Sequence, residues 1–331
     1  MKQTAIILLL STTCAFGQWS GTYTANDTLS IAPGQSADEQ AMLDELAWTP
    51  RAFEVRCEPG DGRFDAMVTF PSPHPSGNAT NDRVVMEWYA ALGDDGKPID
   101  APGMIVLHIL DGRMAVARLI ARTFSFNGIH AFVMHQAYYG QRRPEGYEEP
   151  ADQILSRLRQ SATDARRARD AAAVLPHVVR DRIGIQGTSL GGFVTSIAAS
   201  IDGGFDPVFI VLGGADIHGM LLNAKRDSAS VRRELEAAGY TGDKLRDLAW
   251  AAEPSRLAHR LDPRRTWLFS ATDDRVVPAA NARVLAAAAN LDEQHHQWFT
   301  ADHYTAAVYL PDLCTRMVRI IHAAAPPVHA D

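Results

Sequence analysis

Five short strand-like runs, separated by segments of helical periodicity, constrain this chain more than any other feature. They are Met104–Leu110, Ala131–Met134, Arg182–Gln186, Val208–Leu212 and Thr266–Ser270. A strand that is apolar along its length, without polar alternation, is buried on both faces, and buried strands joined through helices pair in parallel. Between the first two runs, Val116, Leu119, Ile120 and Phe124 recur at helical spacing with Arg118 and Arg122 opposite, and Gly128 ends that helix. Further helical stretches follow at about 151–175, 191–201, 279–290 and 305–323, with a last strand near 296–299. Upstream, 53–57, 64–70 and 84–89 read as strands, the first two alternating as half-buried antiparallel strands do. The fold class is therefore α/β: a doubly wound, mostly parallel sheet with antiparallel N-terminal strands. The interval 215–262 is too long for a structureless loop and carries amphipathic pieces, so it is expected to be a helical lid over the C-terminal edge of the sheet.

The ends of the chain read differently. Met1–Leu10 carries one positive charge and a short apolar run, and Ala15-Phe16-Gly17 follows as a small-x-small cleavage pattern. Residues 1–17 are thus expected to be a signal peptide and the mature protein to be exported, periplasmic or secreted, without stable membrane insertion. Residues 18–49, rich in Ser, Thr, Gly, Asp and Gln, read as an arm or linker outside the core, 50–325 as the domain, and 326–331 as a tail. Cys14 falls in the leader, which leaves Cys57 and Cys314 free to form one disulfide in an oxidising compartment.

Chemistry concentrates at Gly187-Thr188-Ser189-Leu190-Gly191. A GxSxG match arises by chance roughly 0.1 times in a chain this long. Here it sits between a strand and a helix, where a turn too tight for flanking side chains raises a serine hydroxyl above the sheet at a helix N-terminus. Nucleophilic catalysis by Ser189 needs an acid and then a histidine further along the chain. Strand 266–270 is followed by Asp273-Asp274-Arg275-Val276-Val277-Pro278, and the strand near 296–299 by Ala301-Asp302-His303-Tyr304. His295 and His296 are weaker candidates for the base, because neighbours on a strand face opposite ways.

With these motifs, residues 51–323 resemble the α/β-hydrolase superfamily of serine hydrolases. The segment 273–278 is particularly similar to the acid loop of dienelactone-hydrolase-like and prolyl-oligopeptidase-like members, in which the first Asp of such a pair is the acid. The resemblance thus implies a triad of Ser189, Asp273 and His303, with Asp274 an exposed loop carboxylate. It also implies an oxyanion hole from the backbone N–H of Leu190 and of Ile109 or Leu110, in the loop after the strand ending near Leu107. His108, Arg275 and His218 are candidate substrate contacts. The tract Tyr138–Pro144 is similar to one in another branch of the superfamily and receives no catalytic role.

Other classes are disfavoured. Thirty-two Lys and Arg stand against 39 Asp and Glu, a net charge of −7, which opposes broad nucleic-acid binding. The arginines at 157, 159, 166, 167 and 169 accordingly read as a solvated helix face. Neither GxGxxG nor a phosphate-binding loop is present, and neither HExxH nor paired cysteines, so no cofactor and no metal is expected. The expected function is hydrolysis of a small-molecule or carbohydrate-linked carboxylic ester through an acyl-enzyme. A peptidase or acyltransferase using the same triad, or a non-catalytic binding protein on the same fold, are the alternatives, and the oligomeric state is open.

Overall fold

The computed structural model describes residues 19–110, 112, 114–148, 150, 153–223 and 225–324. The expected signal peptide, Cys14 and the 326–331 tail lie outside the described residues. Ten strands run in chain order as β1 (Gly21–Asn26), β2 (Ala52–Pro59), β3 (Ala66–Pro71), β4 (Arg83–Tyr89), β5 (Ala101–Leu107), β6 (His130–Met134), β7 (Val178–Thr188), β8 (Val208–Val211), β9 (Thr266–Ala271) and β10 (His296–Phe299). They form one sheet in the order β1-β2-β3-β4-β6-β5-β7-β8-β9-β10. Pairing is parallel from β6 through β10 and antiparallel from β1 to β4 and between β4 and β6. The central strands are buried throughout, as their lack of polar alternation requires.

The helices are α1 (Ala37–Leu46), the single turn α2 (Ala79–Asp82), α3 (Ala115–Phe126), α4 (Gln153–Ala172), α5 (Leu190–Ser200), α6 (Ile217–Asn223), α7 (Asp227–Ala237), α8 (Asp243–Trp250), α9 (Ala279–Ala288) and α10 (Leu310–Ala323). One hydrophobic core joins α1, α4, α5 and α9 to one face of the sheet. A second joins α3 and α10 to the other face, where Ile120 and Phe124 share a core with Met104 and Val106. The interval 215–262 holds α6, α7 and α8 followed by two short 3₁₀ turns.

Residues 18–49, expected as an arm outside the core, are instead part of it. β1 extends the sheet beside β2, and α1 buries Met42, Leu43 and Leu46. The reason is ionic as well as apolar. Arg167, fully buried on α4, donates from Nε to Asp27 Oδ1 at 2.8 Å and from Nη1 to the Pro71 carbonyl at 3.2 Å. Arg166, also buried, donates to both Asp202 carboxylate oxygens and to Asp170, and Asp170 in turn accepts from Thr28 N–H and Oγ1 at 2.8 and 2.6 Å. Arg157 is buried as well, and Arg166 and Arg167 likewise do not belong to a solvated helix face. Asp27, Asp170 and Asp202 supply the paired charges that permit their burial.

The expected disulfide is also absent. Cys57 on β2 packs into the core on one face of the sheet and Cys314 on α10 into the core on the other, and both are free thiols. Burial pushes Cys57 up to about 12 and Cys314 up to about 11, so both stay protonated and unreactive. No described helix is long and apolar enough to cross a membrane.

Candidate active site

The strand order reverses direction around β5: β6 lies to one side of it and β7 to the other. In an open parallel sheet such a reversal opens a crevice at the carboxyl ends of the strands. Ser189 follows β7 directly and residues 108–110 follow β5, so both stand at that crevice.

The turn at Ser189 is built by its glycines. A side chain at Gly187 would lie 2.0 Å from the Gly191 carbonyl oxygen, and one at Gly191 would lie 2.6 Å from the Leu107 carbonyl oxygen. Their absence lets β7 reverse into α5 and lets the β5 loop press against the turn. Ser189 itself has φ 54° and ψ −113°, a conformation costly for any residue but glycine. Its N–H donates to Val211 O at 2.8 Å, and its carbonyl accepts from Gly192 N–H at 2.8 Å, which holds the strained residue in place.

His303 joins Ser189 to a carboxylate. Its Nε2 is 3.0 Å from Ser189 Oγ, and its Nδ1 is 2.6 Å from Asp274 Oδ2. The carboxylate is Asp274, not Asp273. Asp274 is 7% exposed, and its Oδ1 accepts from the N–H groups of Val276 and Val277 at 2.8 and 2.9 Å. That small turn folds the side chain inward, between the hydrophobic residues it precedes and the imidazole. Asp273 continues the strand's hydrogen bonding through its N–H to Ala301 O, and its side chain is exposed beside Thr272. His296 turns to Ser270 at 3.1 Å and His295 to Asp292 at 2.7 Å, so neither faces Ser189.

The candidate oxyanion loop is braced from beneath. His108 is fully buried; its Nε2 accepts from Gln136 N–H at 3.2 Å, and its Nδ1 lies 2.6 Å from Ile109 O. The Gln136 amide donates back to His108 O at 2.6 Å. The ring of His108 therefore shapes the loop rather than meeting a ligand. Leu110 and Leu190 line a cavity with Ser189, and Ile109 a neighbouring one. Asp111 lies outside the described residues. Arg275 is exposed and lines neither cavity, and His218 on α6 is half-buried and lines neither. Among the described residues no group of three or more His, Cys, Asp and Glu is arranged to hold a metal.

Sequence reasoning missed four residues here. Besides Asp274, Gln136 supports the loop, and Asp227 and Tyr304 line a cavity with Ser189, where Tyr304 Oη donates to Asp227 Oδ2 at 2.9 Å. The helical interval is tied to the 273–278 loop: Ser228 Oγ donates to Val276 O, and Lys225 N–H to Arg275 O, both at 2.8 Å. Glu253, buried, accepts from the N–H groups of Asp216 and Ile217 and anchors the start of α6.

The architecture is that of the α/β-hydrolase fold, shared with solved structures at low identity. An acetyl xylan esterase from a Paenibacillus species is 14% identical with a TM-score of 0.63, over 89% of this chain and 96% of that one. Acetyl xylan esterase 1 from a Thermoanaerobacterium species is 13% identical with a TM-score of 0.56, over 88% and 96%. A puromycin-hydrolyzing peptidase from Mycobacterium tuberculosis is 14% identical with a TM-score of 0.54, over 82% of this chain and 45% of that one. No protein-family model and no curated protein matches the sequence.

Proposed function

We propose that this chain is an exported serine hydrolase that cleaves carboxylic esters through an acyl-enzyme on Ser189. The observation that carries the reading is the continuous hydrogen-bonded line from Ser189 Oγ through His303 to Asp274. His303 Nε2 takes the hydroxyl proton as Oγ attacks the acyl carbon, and Nδ1–H donates to Asp274, which fixes the tautomer and stabilises the imidazolium. The carbonyl oxygen becomes an oxyanion beside the N–H of Leu190 and an amide of the Ile109–Leu110 loop. Collapse breaks the bond to the alcohol oxygen, which receives the proton from Nε2. A water molecule then gives its proton to Nε2 and attacks the acyl carbon, and the acid leaves with Ser189 regenerated.

The esterases among the structural neighbours support an ester substrate, small or carbohydrate-linked, and the leader pattern at 1–17 supports export. The decisive assay is p-nitrophenyl acetate hydrolysis by the mature protein beside Ser189→Ala, with a p-nitroanilide as the amide control. Expected are turnover of the ester, weak or no turnover of the amide, and loss of at least about 10³-fold in the variant. Equal turnover by Ser189→Ala would remove the proposal.

A further inference from the structure

Ser189 stands between two unequal cavities. The smaller, about 90 Å³, is walled by apolar side chains that include Leu158, Phe193, Met220, Leu221 and Val231. The larger, about 440 Å³, contains His303 and Tyr304 and runs along Val116, Phe299 and Leu310. Asp227 borders both.

Resting on the ester-hydrolase reading, we propose that the two cavities divide the substrate. The small one takes a short acyl chain, the large one takes the alcohol, and Asp227 selects alcohols that carry hydroxyl groups. The division follows from proton transfer. The departing oxygen must reach His303 Nε2, so the alcohol lies on the side that His303 lines, and the acyl chain points the other way, under α6 and α7. Size sets the acyl limit. An apolar cavity of about 150 Å³ holds benzene, so one of about 90 Å³ holds a chain of about four carbons.

Asp227 supplies the polar element. It is the first residue of α7 and follows Arg226, whose φ of 60° and ψ of −124° are strained for a side-chain-bearing residue. The Arg226 guanidinium lies over the Tyr304 ring at 5.1 Å, and the Tyr304 hydroxyl fixes Asp227 Oδ2. Among the described residues Oδ1 accepts nothing, so an exposed carboxylate oxygen remains on a residue that borders both cavities. An ionised carboxylate only accepts hydrogen bonds, which favours hydroxyl-bearing alcohols and disfavours anionic ones.

The test is kcat/KM across p-nitrophenyl acetate, butyrate, hexanoate and octanoate, and across the acetate esters of glycerol and of glycolic acid. Acetate and butyrate are expected to exceed hexanoate by at least about tenfold, since methylenes that a pocket cannot admit cost that much. Met220→Ala should recover most of the hexanoate loss. Glyceryl acetate should exceed the acetate of glycolic acid, and Asp227→Ala should cut that ratio at least about tenfold. A flat or rising chain-length profile, or a ratio that Asp227→Ala leaves unchanged, overturns this division while the hydrolase reading stands. Absence of turnover with every ester overturns both.

Discussion

At the scale of single residues, the carboxylate that meets His303 is chosen by one backbone turn. Asp273 and Asp274 are chemically identical and adjacent, and family resemblance favours the first. The structure favours the second because Asp274 Oδ1 collects two N–H donors from Val276 and Val277, leaving Oδ2 for His303. The signal was present in the sequence: a carboxylate two and three residues before buried valines closes an Asx turn, and a side chain so turned faces the interior. Asp274→Asn is expected to lower kcat by about 10⁴-fold, by favouring the wrong imidazole tautomer. Asp273→Asn should stay within about threefold, because its carboxylate is solvated. The measurement is kcat of both variants on one ester, and equal losses would return the acid to Asp273 or to neither. Ser189 and His303 were legible from motif and order alone. Asp227 and Tyr304 were not, since their meeting joins α7 to a loop 77 residues away.

At the scale of elements, the central strands and the helices between them follow directly from the runs of apolar residues. The N-terminal segment reads as an arm because its composition is polar, yet its helix is written in the sequence. Ser36 and Glu39 form a capping pattern, with Ser36 Oγ accepting from Glu39 N–H at 3.1 Å, and Met42, Leu43 and Leu46 make the buried stripe. What the sequence did not disclose is the partner of Arg167 on α4, because Asp27 lies 140 residues away. Asp27→Ala leaves that guanidinium buried and unpaired and should destabilise the fold by about 3–5 kcal/mol. Urea unfolding checks this, and a loss below about 1 kcal/mol would mean that the segment is not integral to the domain.

At the scale of the whole molecule, the sheet reversal, the glycines of the turn and the helices α6 and α7 converge on one hydroxyl. Ser189 pays for its position with backbone strain, and such strain is retained where it orients a functional group. The two cores on opposite faces of the sheet also explain why Cys57 and Cys314 never meet, which spacing along the chain could not reveal. The central claim is that Ser189 is an activated nucleophile. Its most direct test is reaction of the folded protein with a fluorophosphonate, followed by peptide mass spectrometry. A single adduct on Ser189, lost in His303→Ala, is the predicted result. A folded protein that takes no label at Ser189, or takes it equally without His303, would contradict the account.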